Sequence, residues 1–353
     1  MRIGVAVLAA FAPLILGACG APAATSSDQV TTASAAPETR APSMTAAPSA
    51  ELQLGQSFGL VYDPALGRTI LVNGAIEGGP ARPTELWTWD GAVFERLDAD
   101  GPPAREFAAI ARDPERDVIV VTGGERPSTA APATTMEWDG MAWTEHPEVG
   151  PGPGSRGGTS LAYDAASDAM LLFGGAVEFD LQPDTWTWDG RTWTQVATSG
   201  PPPRFTSLMA AEADGDIILQ GGHWVVGDDG GFYDDTWRWD GASWSEVTPA
   251  DGPGPRVNAP GVWHPGLDGI LMVGGGTGQD DPFSAETWLW RDDTWTDITG
   301  AVEPSPRNAH ALAYDEAREV VVLVGGIAEP GGSQVLDVWE FDGATWREAL
   351  PAP

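Results

Sequence analysis

Along this chain, short apolar runs stop at the same kind of place again and again. They end at Asn73-Gly74, Gly123-Gly124, Gly174-Gly175, Gly221-Gly222, Gly274-Gly275 and Gly325-Gly326, spaced 47 to 53 residues apart. Runs of four or five apolar residues closed by glycine are too short for helices and predict buried strands. Each is followed by an alternating segment such as Trp186-Thr187-Trp188-Asp189-Gly190-Arg191-Thr192-Trp193, and alternation at period two predicts two strands joined by a turn. Ahead of each apolar run another strand is predicted, ending three times in Tyr-Asp, at Tyr62, Tyr163 and Tyr314. Four strands per repeat and six repeats predict an all-β protein: a six-bladed β-propeller of four-stranded antiparallel blades.

In five copies an Asp-Gly pair joins the third and fourth strands, a strong signal for a two-residue type I′ turn. That turn would pair Trp186 with Trp193, Trp87 with Phe94, Met136 with Trp143, Trp237 with Trp244 and Trp339 with Trp346, and the matching pair in the remaining copy is Trp288 with Trp295. Of the 17 tryptophans, all but Trp224 and Trp263 fall in these segments, so most read as blade packing. Trp224 and Trp263 are left as candidate ligand contacts.

The repeat resembles the kelch motif over residues 52–350, which implies kelch-type blades in a galactose oxidase-like fold. In such blades the loops that lead into the first strand and join the second to the third share one face, and the tight turns occupy the other. Long, variable loops on a rigid scaffold usually carry recognition. An arginine stands seven residues before the Tyr-Asp position in five repeats: Arg105, Arg156, Arg204, Arg256 and Arg307, with Gly55 in the first. Two readings are open. By resemblance these arginines can project into the channel mouth and bind an anionic ligand there. Alternatively, each pairs with an acid near its third strand, such as Asp184, Asp235, Glu286 or Asp337.

Composition narrows the chemistry. The 18 basic residues are all arginine and the formal charge is -33, which excludes lysine-dependent phosphate or Schiff-base chemistry and disfavours nucleic acid as a partner. The lone cysteine, Cys19, closes Leu16-Gly17-Ala18-Cys19 after a charged start and an apolar run. This resembles a bacterial lipobox and implies a signal peptide at 1–18, lipidation of Cys19, export, and membrane attachment through the lipid alone. Residues 19–51, rich in Ala, Pro, Thr and Ser, read as a disordered tether.

A copper-radical oxidase of the galactose oxidase type would need a cysteine linked to a tyrosine, and none is left. A sialidase would need a tyrosine nucleophile, for which only Tyr233 is free of the repeat; a sugar epimerase needs only placed acids and bases. The histidines His146, His223, His264 and His310 sit in four repeats without zinc-site spacing; His223, directly after a glycine pair, is the one with ligand-binding promise. Carboxylates at 227–235 and 280–281 are where Ca²⁺ would bind, but calcium-loop spacing is missing and no cofactor is expected. The sequence therefore predicts a recognition module for a protein or glycan at the long-loop face, with a carbohydrate-active enzyme as the alternative.

Overall fold

A computed structural model describes residues 44–45, 52–55, 58–75, 82–99, 101, 103–125, 134–177, 180–227, 229–278 and 283–352. Cys19, the signal segment and nearly all of the tether lie outside the described residues. Among those described there is no helix, and the strands form six four-stranded antiparallel blades. Blade 3 is typical, with Ser160–Asp164, Ala169–Phe173, Thr185–Trp188 and Trp193–Ala197 running from the channel outward. Every blade is built from contiguous chain, so no terminus lends a strand to close the ring. Leu52 does help instead, buried among the side chains of blades 1 and 6, while the Asn73 amide bonds Gln53 O and Gly55 N. Blade 1 gains a fifth strand at its outer edge, where Met44 pairs with Leu97 and Thr45 with Arg96.

The core is divided among the blade interfaces. Each neighbouring pair of blades, including 6 with 1, has its own cluster of buried apolar residues: Val61, Ile70 and Leu86 meet Ile119 and Trp138, for example. Second strands such as Ala169–Phe173 are buried at every residue, which explains why they read as unbroken apolar runs.

The aromatic pairing differs from the expected register. Trp188 faces Trp193, Trp89 faces Phe94 and Trp239 faces Trp244, at ring separations of 4.9 to 5.5 Å. The Asp-Gly pair lies in a four-residue loop, not a two-residue turn. Asp189 Oδ1 accepts the N–H of Arg191 and Thr192, each at 2.8 Å, and only Gly190 has positive φ, whereas a type I′ turn needs two such residues. Blade 5, which lacks Asp-Gly, has that geometry: Asp292 and Asp293 have φ of 52° and 58° between paired Arg291 and Thr294.

The outer aromatic then stitches blades together. Trp193, Trp244, Trp295 and Trp346 each donate their indole N–H to a threonine of the preceding blade, Thr135, Thr185, Thr236 and Thr287, at 2.9 to 3.1 Å. Where blade 1 meets blade 6, donor and acceptor vanish together as Phe94 and Val338, both fully within the apolar cluster. Between blades 1 and 2 the acceptor position is Leu86, and the Trp138 and Trp143 N–H groups are both without partners. In blades 2 to 5 the second glycine of the pair donates to the next blade's arginine carbonyl at 2.7–2.9 Å, whereas here the donor to Arg105 O is Ala75 N, one residue past the matching Gly74, at 3.4 Å. This seam is the weakest joint among the described residues. A bonded indole contributes ~1 kcal/mol, and an unpartnered buried one contributes nothing and costs desolvation. Trp193→Phe is therefore expected to cost ~1–2 kcal/mol more than Trp143→Phe in urea denaturation; equal losses would refute the weak seam.

Candidate functional site

The long-loop face is organised by the two residues after each repeat arginine. The second of them, Phe107, Gly158, Thr206, Asn258 or Ala309, has φ between 49° and 68°. Left-handed backbone at non-glycine residues costs ~1–3 kcal/mol apiece, and tends to gather where function needs a fixed shape. Here it turns the chain so that these residues bond one another around the channel. Gly158 N donates to Phe107 O at 3.0 Å, Thr206 N to Gly158 O at 2.8 Å, Asn258 N to Thr206 O and Ala309 N to Asn258 O, each at 3.1 Å.

Immediately outside this ring lies a second row. The residue directly after the arginine pairs with one beyond the glycine pair, which pairs in turn with a third: Gly157, Ala176 and Leu181 in blade 3; Phe205, His223 and Phe232 in blade 4. Val257, Gly276 and Phe283 do the same in blade 5, and Asn308, Ile327 and Gln334 in blade 6. None of these twelve positions in blades 3 to 6 carries an acid or an arginine, in a chain of formal charge -33, whereas in blade 2 the corresponding pair is Glu106 with Glu125. The blade 4 part is a full hairpin, His223–Val226 with Asp229–Phe232. Its centre is aromatic: the His223 ring lies 3.5 Å from the Phe205 centroid and 6.1 Å from that of Phe232, and His223 Nδ1 is 3.0 Å from Thr206 Oγ1. Burial lowers the His223 pKa to about 4, so the ring is neutral at neutral pH. Phe232 is 41% exposed and Phe107, on the inner ring, 47%.

The sequence-predicted site residues divide. His223 and Trp224 are adjacent in that hairpin, but on opposite sides of it: Trp224 lies across Gly231, where a Cβ would sit 2.8 Å from the indole nitrogen. Trp263 belongs elsewhere. It occupies the Tyr position of blade 5's first strand, at the end away from the long loops, and packs against the core between blades 4 and 5.

The arginines are structural clamps in this geometry. Arg204 is 0% exposed: it grips Asp235 with bonds of 2.5 and 2.8 Å, donates to Gly221 O, and stacks on Tyr233 at 3.9 Å. Arg307 holds Asp337 at 2.7 Å twice, Arg156 holds Asp184 at 2.6 Å, and Arg256 bonds Glu286. The same four acids accept the indole N–H of Trp186, Trp237, Trp288 and Trp339. Burial opposes ionisation of Asp184, but the bonds from Arg156 and Trp186 outweigh it and hold its carboxyl below the usual range. In blade 2 both acid and tryptophan are replaced, by Thr134 and Met136, and Arg105 bonds Gly123 O and Thr134 O instead. Donors committed within a blade do not converge on a shared anion. The blade 1 exception at Gly55 is made good by Arg82, which bonds Gly74 O at 2.7 Å beside Glu85.

The remaining candidates are dispersed. His146 contacts Glu137 at 3.2 Å, His264 accepts the Leu267 N–H beside Tyr314 and Phe341, and His310 is buried between blades 5 and 6. Tyr233 is committed to the Arg204 clamp, with its pKa raised by burial. Asp228, Asp280 and Asp281 lie outside the described residues. The acidic trio among the described residues is Glu212, Asp214 and Asp216, on the tight-turn side of blade 4, where Arg238 bridges Glu212 and Asp216 at 3.1 Å and already supplies the positive charge.

No protein-family model and no curated protein matches this chain. Sequence reasoning missed Phe205, Phe232 and the inner ring; the two positions following each arginine mark Phe205 and the ring, whereas Phe232 joins them only through its pairing with His223.

Proposed function

We infer that this chain is an exported lipoprotein, anchored through Cys19, whose kelch-type propeller is a non-catalytic recognition module. The ligand meets the crown of uncharged residues around Phe205, His223 and Phe232 at the long-loop face. The observation that carries this reading is the crown itself: three positions in each of blades 3 to 6, all free of charge in a strongly acidic molecule, with Phe232 exposed beside the half-buried rings of Phe205 and His223. Such a surface suits a ligand that offers apolar faces and neutral polar edges, because desolvating it costs no buried charge. The kelch-like repeat spacing supports the family, and the lipobox-like segment ending at Cys19 supports the anchor.

The test is a glycan and secreted-protein binding screen with the full chain, repeated with His223→Ala. The variant is expected to bind at least about tenfold more weakly, a loss of ~1.4 kcal/mol, with its melting temperature nearly unchanged. Undiminished binding would move the site elsewhere. In the same preparations Cys19→Ala should transfer the protein from the membrane to the soluble fraction, and retention in the membrane would refute the anchor.

A further inference from the structure

The uncharged crown is bordered on one side by acids alone. In blades 3 to 6 the segments joining second to third strands contain no arginine, and besides the clamp acids they carry Glu178, Asp180, Asp228, Asp229, Asp280 and Glu329, among others. Asp180, Asp229 and Glu329 are exposed. Two of them close the short hairpins, Asp180 opposite Val177 and Asp229 opposite Val226. Blades 1 and 2 differ, since their corresponding segments hold Arg82 and Arg126. The apolar part is continuous across the acidic side. The Asp180–Leu181 strand of blade 3 adjoins the His223–Val226 strand, and Phe232 reaches across to blade 5, where a Cβ on Gly278 would lie 2.4 Å from its ring. Val226 is 68% exposed and Val177 36%.

An apolar, aromatic centre that excludes water, rimmed by charges of one sign, is the anatomy of a protein-recognition patch: anchors in the middle supply affinity and rim charges supply selection and rate. We propose that the crown of blades 3 to 5 docks a cationic segment of another protein, one that inserts an aromatic or aliphatic anchor against Phe232 and Phe205 while its Arg or Lys residues face Asp180 and Asp229. This rests on the recognition function inferred above and names its partner's chemistry. A second copy of this chain fits poorly, because two molecules of charge -33 repel each other. The negative field also draws a basic partner in, so association is faster at low salt.

The probe is a set of 12-residue peptides in which the number of Arg and Lys residues and the presence of one Phe or Leu anchor vary independently, tested alongside a neutral glycan panel against the full chain in detergent. Binding is expected only where basic residues and an anchor coincide. Phe232→Ser should weaken it tenfold or more at any salt concentration. Asp180→Asn with Asp229→Asn should weaken it severalfold at low salt and flatten its salt dependence. Peptides with neutral flanks binding as tightly as basic ones, or indifference to Phe232→Ser, would overturn the proposal. Glycans that bind in a manner sensitive to His223→Ala, with all peptides silent, would refute the cationic partner and leave the recognition site standing; silence from both would remove both.

Discussion

Arg307→Met is expected to lower the unfolding free energy by ~3–5 kcal/mol while leaving binding at the crown intact. The guanidinium is 2% exposed and Asp337 5%, and the pair is joined by two bonds of 2.7 Å, with Gly325 O and the Trp339 indole completing the network. Removing the cation leaves a carboxylate buried without its counter-charge and a glycine carbonyl without its donor, and each of those losses is paid in full by the folded state. Adding Asp337→Leu to the same variant should recover much of the loss, because the uncompensated charge goes with it. Arg256→Met should cost less, since the Glu286 side chain is 43% exposed and water can take over its solvation. Chemical denaturation of the three variants checks this ordering. If Arg307→Met melted like the parent but failed to bind, the repeat arginines would be ligand groups after all.

The propeller should also lose stability on mild acidification, before most carboxylates titrate. His310 is buried beside Arg307 with neither ring nitrogen hydrogen-bonded; burial first, and the Arg307 charge second, lower its pKa to about 3. His223 is lowered to about 4 by burial. In the unfolded chain both return to about 6.5. Between those limits the unfolded state binds more protons than the folded one. The stabilisation is thus complete above pH 6.5, falls as pH drops, and is fully lost for His223 near pH 4 and for His310 near pH 3. The slope approaches ~1.4 kcal/mol per pH unit for each histidine within its window. His310→Gln should flatten the stability profile between pH 6 and 4 even if it lowers the plateau. A parent profile level from pH 7 to 4 would contradict this account.

The fold was legible in the sequence because a repeat writes the same instruction six times. Burial on both sides makes every second strand an apolar run, the sharp exits need glycine at Gly123, Gly174 and Gly325, and the aromatic segments alternate at the period of a strand. Even one of the two readings of the arginines, the pairing with Asp184, Asp235, Glu286 and Asp337, could be written down from spacing alone.

Tertiary structure decided what depends on side-chain competition and on neighbours far apart in the chain. The register of Trp188 with Trp193 follows from the Asp189 carboxylate capping two backbone N–H groups, an option that the Asp-Gly pair does not advertise. Trp263 looked unattached to the repeat, yet it fills a tyrosine's place in the packing between blades. Thr206 and Asn258 hold left-handed backbone only because ring closure brings each against the blade before it, some 50 residues away in sequence. The weak seam arises the same way, from Leu86 standing opposite Trp143 across an interface that exists only once the ring is formed. Sequence fixes what each repeat is made of, because local propensity and burial act within a blade; which uncharged residues meet around Phe205 and His223 is set by the closed ring, because that closure is a property of six blades packed together.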